Sequence, residues 1–146
     1  MRFLVGADEH DPIVEVIAVE LRALGHQVTV VGAKPGAPTP WANLALEIAG
    51  AVGGGAVDQG VVCCYTGTGV SMAANKVHGV RAALCVDADT AKGARQWNDA
   101  NVLALSLRLT SATVAKEIVR AWVATAYGGT ETVSLDAIRR AESNRS

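Results

Sequence analysis

The sequence predicts an α/β fold, a Rossmann-like three-layer α/β/α sandwich with a five-stranded parallel sheet. Two observations carry this expectation. Short apolar runs alternate along the chain with segments whose apolar residues recur at helical spacing, the pattern of strands joined by crossover helices. One of those runs, VVCC, feeds a glycine-rich turn that opens a helix, at the carboxyl end of a strand where open parallel sheets hold their ligands. With 146 residues there is room for one domain with a real core, and positions 1–146 are read as a single domain.

The elements follow in order. Arg2–Gly6 is the first strand. In Pro12–Leu24, residues Ile13, Val16, Ile17, Leu21 and Leu24 share a helical face, and Gly25 stops that helix. Gln27–Val31 is the second strand, and a turn-rich loop with KPGAPTP runs from Gly32 to Pro40. Trp41–Val52 forms a helix that breaks at Gly53–Gly55. Gly60–Cys64 is the third strand, and a helix begins over Ser71–Val77. Arg81–Val86 is the fourth strand, Thr90–Trp97 a short helix and Val102–Leu105 the fifth strand. Thr113–Tyr127 is a long amphipathic helix, and Leu135–Glu142 a short polar one.

Composition narrows the function classes. Hydrophobic residues make up 50% and charged residues 18%, so the chain is globular rather than disordered. A net charge of -1 gives no footprint for nucleic acid or an anionic membrane. No apolar run approaches the roughly 18 residues of a membrane span, and MRFLVGAD lacks a signal-peptide pattern. Cys63, Cys64 and Cys85 have no metal spacing and cannot all pair. A cytoplasmic, reducing location is the simplest expectation.

The chemistry centres on Val61 to Lys76, VVCCYTGTGVSMAANK. The turn aims backbone N–H groups and the positive end of a helix at one spot. A cysteine beside that spot can ionise more readily, which suits proton abstraction next to a carbonyl. Taken alone, Cys64 is either this thiolate or a small buried hydrophobe. Cys63 points to the opposite face of the strand, and Cys85 lies in an apolar run. A dinucleotide site is excluded, because the third glycine is missing after Gly67-Thr68-Gly69 and the turn follows the third strand.

Four blocks then resemble the ribose-5-phosphate isomerase B family, which includes the galactose-6-phosphate isomerase subunits. They are VGAD, CYTGTGVSMAANK, GVRAALC and ARQWNDANVLAL, in the family's order. The resemblance implies aldose–ketose isomerisation of a sugar phosphate through an enediolate, without metal or cofactor. It also implies a homodimer or a dimer of dimers, with active sites shared between subunits and the 128–146 segment packed on the partner. Carried over by position, Cys64 is the base and Thr66 its neighbour. The backbone of Gly67, Thr68 and Gly69 holds the enediolate oxygens, with Tyr65 and Ser71 in the same turn. Asp8 contacts sugar hydroxyls, Asn98 lies in the loop before the fifth strand, and Arg108 follows that strand.

The departures bear on substrate. The family has Asp-His after the first strand; here the pair is Asp8-Glu9, with His10 one position on. Trp97 stands where the family has its ring-opening histidine, as either a sugar-stacking platform or a plug. Tyr65 replaces a glycine, and Thr130 and Ser134 fall where phosphate-binding arginines belong; the nearest are Arg139 and Arg140. Asp8 can alternatively cap the first helix, and Glu9 and His10 can lie in a solvated loop. His26 and His78 read as surface residues at turns, and Lys76 and Arg81 as partners of surface carboxylates. Three functions remain: an isomerase of a pentose phosphate, an isomerase of a tetrose phosphate or unphosphorylated sugar, and a binding module without turnover. Retention of Cys64 favours chemistry.

Overall fold

The computed structural model describes residues 1–145. Its strands are β1 (Arg2–Ala7), β2 (Gln27–Gly32), β3 (Gln59–Cys64), β4 (Ala82–Leu84) and β5 (Val102–Ser106). Its helices are α1 (Pro12–Ala23), α2 (Trp41–Gly53), α3 (Thr68–Ala74), α4 (Ala88–Asn98), α5 (Ala112–Ala124) and α6 (Thr132–Ser143). All strand pairs are parallel, in the order β2-β1-β3-β5-β4. The five-stranded parallel sheet expected from the alternation is therefore present.

Side-chain alternation divides the core in two. Phe3, Val5, Val61, Cys63, Leu103 and Leu105 face one way, into a cluster with Ile13, Ile17 and Leu21 of α1 and Ile118 and Trp122 of α5. Leu4, Val62, Cys64, Val102 and Ala104 face the other way, against Leu44 and Ile48 of α2 and Val70 and Ala74 of α3. Removing each of the larger aliphatic side chains from water is worth roughly 1.5–3 kcal/mol. Cys63 and Cys64 fall on opposite faces, as a period of two requires. In the first cluster, the buried Trp122 indole donates to Gln59 Oε1 at 2.7 Å, so β3 and α5 share a satisfied polar pair.

Several boundaries differ from the sequence reading. Helix α3 begins at Thr68, three residues early, because Gly67 takes φ +75° and turns the chain directly into the helix. It ends at Ala74 with Asn75 as its C-cap, and the Asn75 side chain ties that end to β4. The Asn75 amide donates to the carbonyl of Ala82 at 2.9 Å and accepts from its N–H at 2.8 Å. Strand β4 shrinks from the expected Arg81–Val86 to Ala82–Leu84; it is an edge strand, and the Asn101 side chain takes up the Arg81 N–H. Helix α5 stops at Ala124 rather than Tyr127, where Thr125 returns its hydroxyl to the Ala121 carbonyl. Helix α6 is longer than expected, and Leu135 is its one buried residue.

Candidate active site

The chain runs from β1 outward to β2, then crosses back over β1 to β3. Crossovers that diverge in this way leave a crevice at the carboxyl ends of the two central strands. Strand β1 delivers Asp8 to that crevice and β3 delivers Cys64. A cavity of about 350 Å³ lies between them. Its walls are Asp8 on one side, Cys64 to Thr66 on another, and Thr68, Gly69 and Met72 from the start of α3. Trp41, the first residue of α2, completes it. Its ring packs over Gly69, where a Cβ would come within 3.0 Å of the ring. A Cβ on Gly67 would lie 2.6 Å from the Leu84 side chain, in a left-handed conformation as well, so only glycine fits this corner.

The polar groups are arranged for a ligand. Asp8 does not cap α1, because Asp11 does so by accepting from the Ile13 N–H at 2.9 Å. Asp8 Oδ1 is buried and finds no hydrogen-bond partner among the described residues. Burial pushes the Asp8 carboxyl above the usual carboxylate range, the Glu9 charge adds to this, and local backbone N–H groups oppose it. An orphaned buried carboxylate oxygen is costly unless something supplies a donor, and a sugar hydroxyl can. The Thr66 and Thr68 hydroxyls meet at 2.7 Å on the far wall. Cys64 is only 5% exposed, and that little surface faces the cavity. Burial disfavours ionisation of the other two thiols, driving Cys63 far above the ordinary thiol range and Cys85 up to about 12.

The structure gathers Asp8, Cys64, Tyr65, Thr66, Thr68 and Gly69 of the expected residues. Gly67 and Ser71 belong to the same turn and helix without lining the cavity. Arg108 stands close by, its backbone N–H donating to the Tyr65 carbonyl at 3.0 Å and its side chain exposed. Glu9 and His10 line an adjacent cavity of about 330 Å³ with Pro12 and Val31. Trp97 and Asn98 lie at the end of α4, which has run back to the amino edge of β5, opposite the strand ends that carry Cys64. Within one chain they do not reach Cys64; Asn98 instead lines a 410 Å³ cavity beside α6. Sequence reasoning missed Trp41 and Met72. Trp41 had a usable signal, since it opens a helix directly after the loop leaving a strand's carboxyl end.

Comparison with known proteins decides the family. The Ribose/Galactose Isomerase family model matches residues 4–138. The chain belongs to this family. It is 39% identical over 130 residues to ribose-5-phosphate isomerase B of Escherichia coli, covering 88% of this chain and 87% of that protein. It is 37% identical over 110 residues to D-erythrulose-4-phosphate isomerase of Pectobacterium atrosepticum, covering 75% of this chain and 72% of the relative. A solved ribose-5-phosphate isomerase B from Clostridium thermocellum matches with a TM-score of 0.95 at 34% identity, over 100% of both chains. The Ribose/Galactose Isomerase membership bears out the resemblance carried by the four blocks, and the Rossmann-like fold with it. Among the described residues no helix is long and apolar enough to cross a membrane.

Proposed function

We propose that this chain is an aldose–ketose isomerase of a small sugar phosphate, with Cys64 as the base. The observation that carries the reading is the convergence of Cys64, Asp8 and the Thr66–Gly69 turn on one cavity, in a member of a sugar isomerase family. In the open-chain aldose, the Cys64 thiolate takes the proton from C2. The C–H electron pair becomes the C1–C2 double bond, and the carbonyl electrons move to O1, giving an enediolate. The backbone N–H groups of Gly67, Thr68 and Gly69 offset that charge, and Asp8 and Thr66 hold the neighbouring hydroxyls. Return of the proton to C1, with transfer of the O2 proton to O1, yields the ketose. Each group here does something the uncatalysed sugar lacks: a base within reach of carbon, and fixed dipoles where charge develops.

A tetrose phosphate is the second reading, and one observation favours it. Among the described residues of one chain, no imidazole lines the cavity, and indole cannot shuttle protons to a ring oxygen as imidazole does. Substrates too short to close a phosphorylated furanose need no such group. The relative named D-erythrulose-4-phosphate isomerase supports keeping this reading open to test. The deciding assay follows aldose–ketose interconversion across tetrose, pentose and hexose phosphates and their free sugars. Turnover of at least one sugar phosphate is expected. Turnover of none of them, or of free sugars alone, contradicts the proposal.

A further inference from the structure

Ser106 is the last residue of β5, and among its neighbours Val102, Leu103, Ala104 and Leu105 it is the one polar side chain. It is 3% exposed. A buried hydroxyl costs desolvation that only good hydrogen bonds offset, and Ser106 has two. Its Oγ donates to the Tyr65 carbonyl at 2.9 Å and accepts from the Leu109 N–H at 3.2 Å. Opposite it in the parallel register is Cys64 itself. Three backbone bonds complete the lacing: Leu107 N–H to the Cys64 carbonyl at 2.9 Å, Arg108 N–H to the Tyr65 carbonyl at 3.0 Å, and Thr110 N–H to the Ser106 carbonyl at 3.0 Å.

We propose that Ser106 is a positioning residue for the reaction at Cys64, fixing the Tyr65–Thr66 peptide so that its N–H faces the cavity. The proposal rests on the isomerase reading. In a trans peptide the carbonyl and the N–H point in opposite directions. The Ser106 hydroxyl at the end of β5 and the Arg108 N–H in the turn after it pull the Tyr65 carbonyl toward themselves, so the Thr66 N–H is aimed the other way, toward the wall that Thr66 contributes. Among the described residues this N–H has no protein acceptor, which leaves it free for a substrate oxygen. The Arg108 N–H alone could hold the carbonyl only as well as the turn that carries it is held. The Ser106 hydroxyl adds to the backbone restraint of that turn by gripping Leu109 while it holds the Tyr65 carbonyl.

The test compares wild type, Ser106→Ala, Ser106→Gly and Ser106→Thr on the sugar phosphate that the wild type isomerises. Ser106→Ala is expected to fold with a melting temperature within a few degrees of wild type. Its kcat should fall about tenfold to a hundredfold, the scale of a small misplacement of catalytic groups, with KM within about twofold. Ser106→Gly should behave alike, and Ser106→Thr, which keeps the hydroxyl, should recover most of the lost kcat. Wild-type kcat in Ser106→Ala and Ser106→Gly overturns the positioning role while leaving the isomerase reading intact. A loss that appears in KM alone, or that tracks the loss of folded protein, also overturns it. A wild type inactive on every sugar phosphate instead sinks the isomerase reading on which the role rests.

Discussion

Asp8 is a residue whose burial costs the fold stability. Its folded-state carboxyl sits above the ordinary carboxylate range because burial and the Glu9 charge disfavour ionisation. A raised acid pKa means that the folded protein holds this proton more tightly than the unfolded chain does. The contribution to stability is therefore present at low pH and is lost as pH rises through the folded value. At neutral pH, Asp8→Asn should hold or raise the melting temperature while lowering turnover. If the ionised form is what holds the sugar hydroxyl, activity falls as pH drops through that raised value, and Asp8→Asn removes this acid limb. A pH–rate profile with an unchanged acid limb in Asp8→Asn contradicts the role. The sequence already singled out Cys64 and Asp8, because strand ends and a glycine turn are local patterns, and Thr66 through the family resemblance. It could not show Trp41 roofing the turn over Gly69, since that contact joins α2 to α3 across a long sequence separation.

At the scale of elements, two polar ties hold the strands that carry the site. The first is the Trp122–Gln59 pair, which joins α5 to the start of β3 in the core. Trp122→Phe keeps most of the apolar area but strands the Gln59 amide oxygen, so a loss of about 1–3 kcal/mol is expected in denaturant unfolding. A loss far below that range would show that Gln59 finds another donor. The second is the pairing of Arg2 with Asp58, at 2.9 Å, which links the start of β1 to the turn before β3. The Arg2 donors hold the Asp58 carboxyl at about 2, below its ordinary value of about 4. A depressed acid pKa favours the ionised form in the folded state. The stabilisation is therefore fully present above the ordinary carboxylate value and is lost progressively as pH falls through the folded value of about 2. Asp58→Asn should melt earlier than wild type at neutral pH, and the gap should shrink as pH falls through about 2. An unchanged gap across that range would contradict this.

Element existence was legible throughout, because helical and strand periods are properties of short windows. Boundaries were less so. Helix α3 moved because Gly67 turns the chain at its start and the Asn75 side chain ties its end to Ala82, and β4 shortened because the Asn101 side chain takes the Arg81 N–H; side-chain ties of this kind leave no periodic pattern.

At the scale of the whole molecule, the cavity is open and its rim is apolar. Tyr65 and Met72 are each 62% exposed, and Leu109 is 67% exposed beside the same turn. Helix α6 leaves Val133 80% exposed and Ile138 46% exposed. Surfaces of this kind ask for cover. A homodimer that packs the 128–146 segment, whose last residue lies outside the described ones, against a partner would supply it. Light scattering is expected to give at least a dimer at micromolar concentration, and a monomer there would contradict the shared site. The sequence suggested this assembly only through resemblance, since nothing local encodes which faces meet.

The measurement closest to the central claim is turnover in deuterated water by wild type, Cys64→Ala and Cys63→Ala on the sugar phosphate the wild type prefers. If Cys64 moves the proton between the two carbons, Cys64→Ala should lose about 10²–10⁴-fold in kcat, together with the enzyme-dependent exchange of deuterium into C1 and C2. Its fold and substrate affinity should be kept. Cys63→Ala, altered on the opposite face of the same strand, should retain wild-type kcat and exchange. Wild-type kcat and deuterium exchange in Cys64→Ala would contradict the account and pass the base to Asp8 or Glu9.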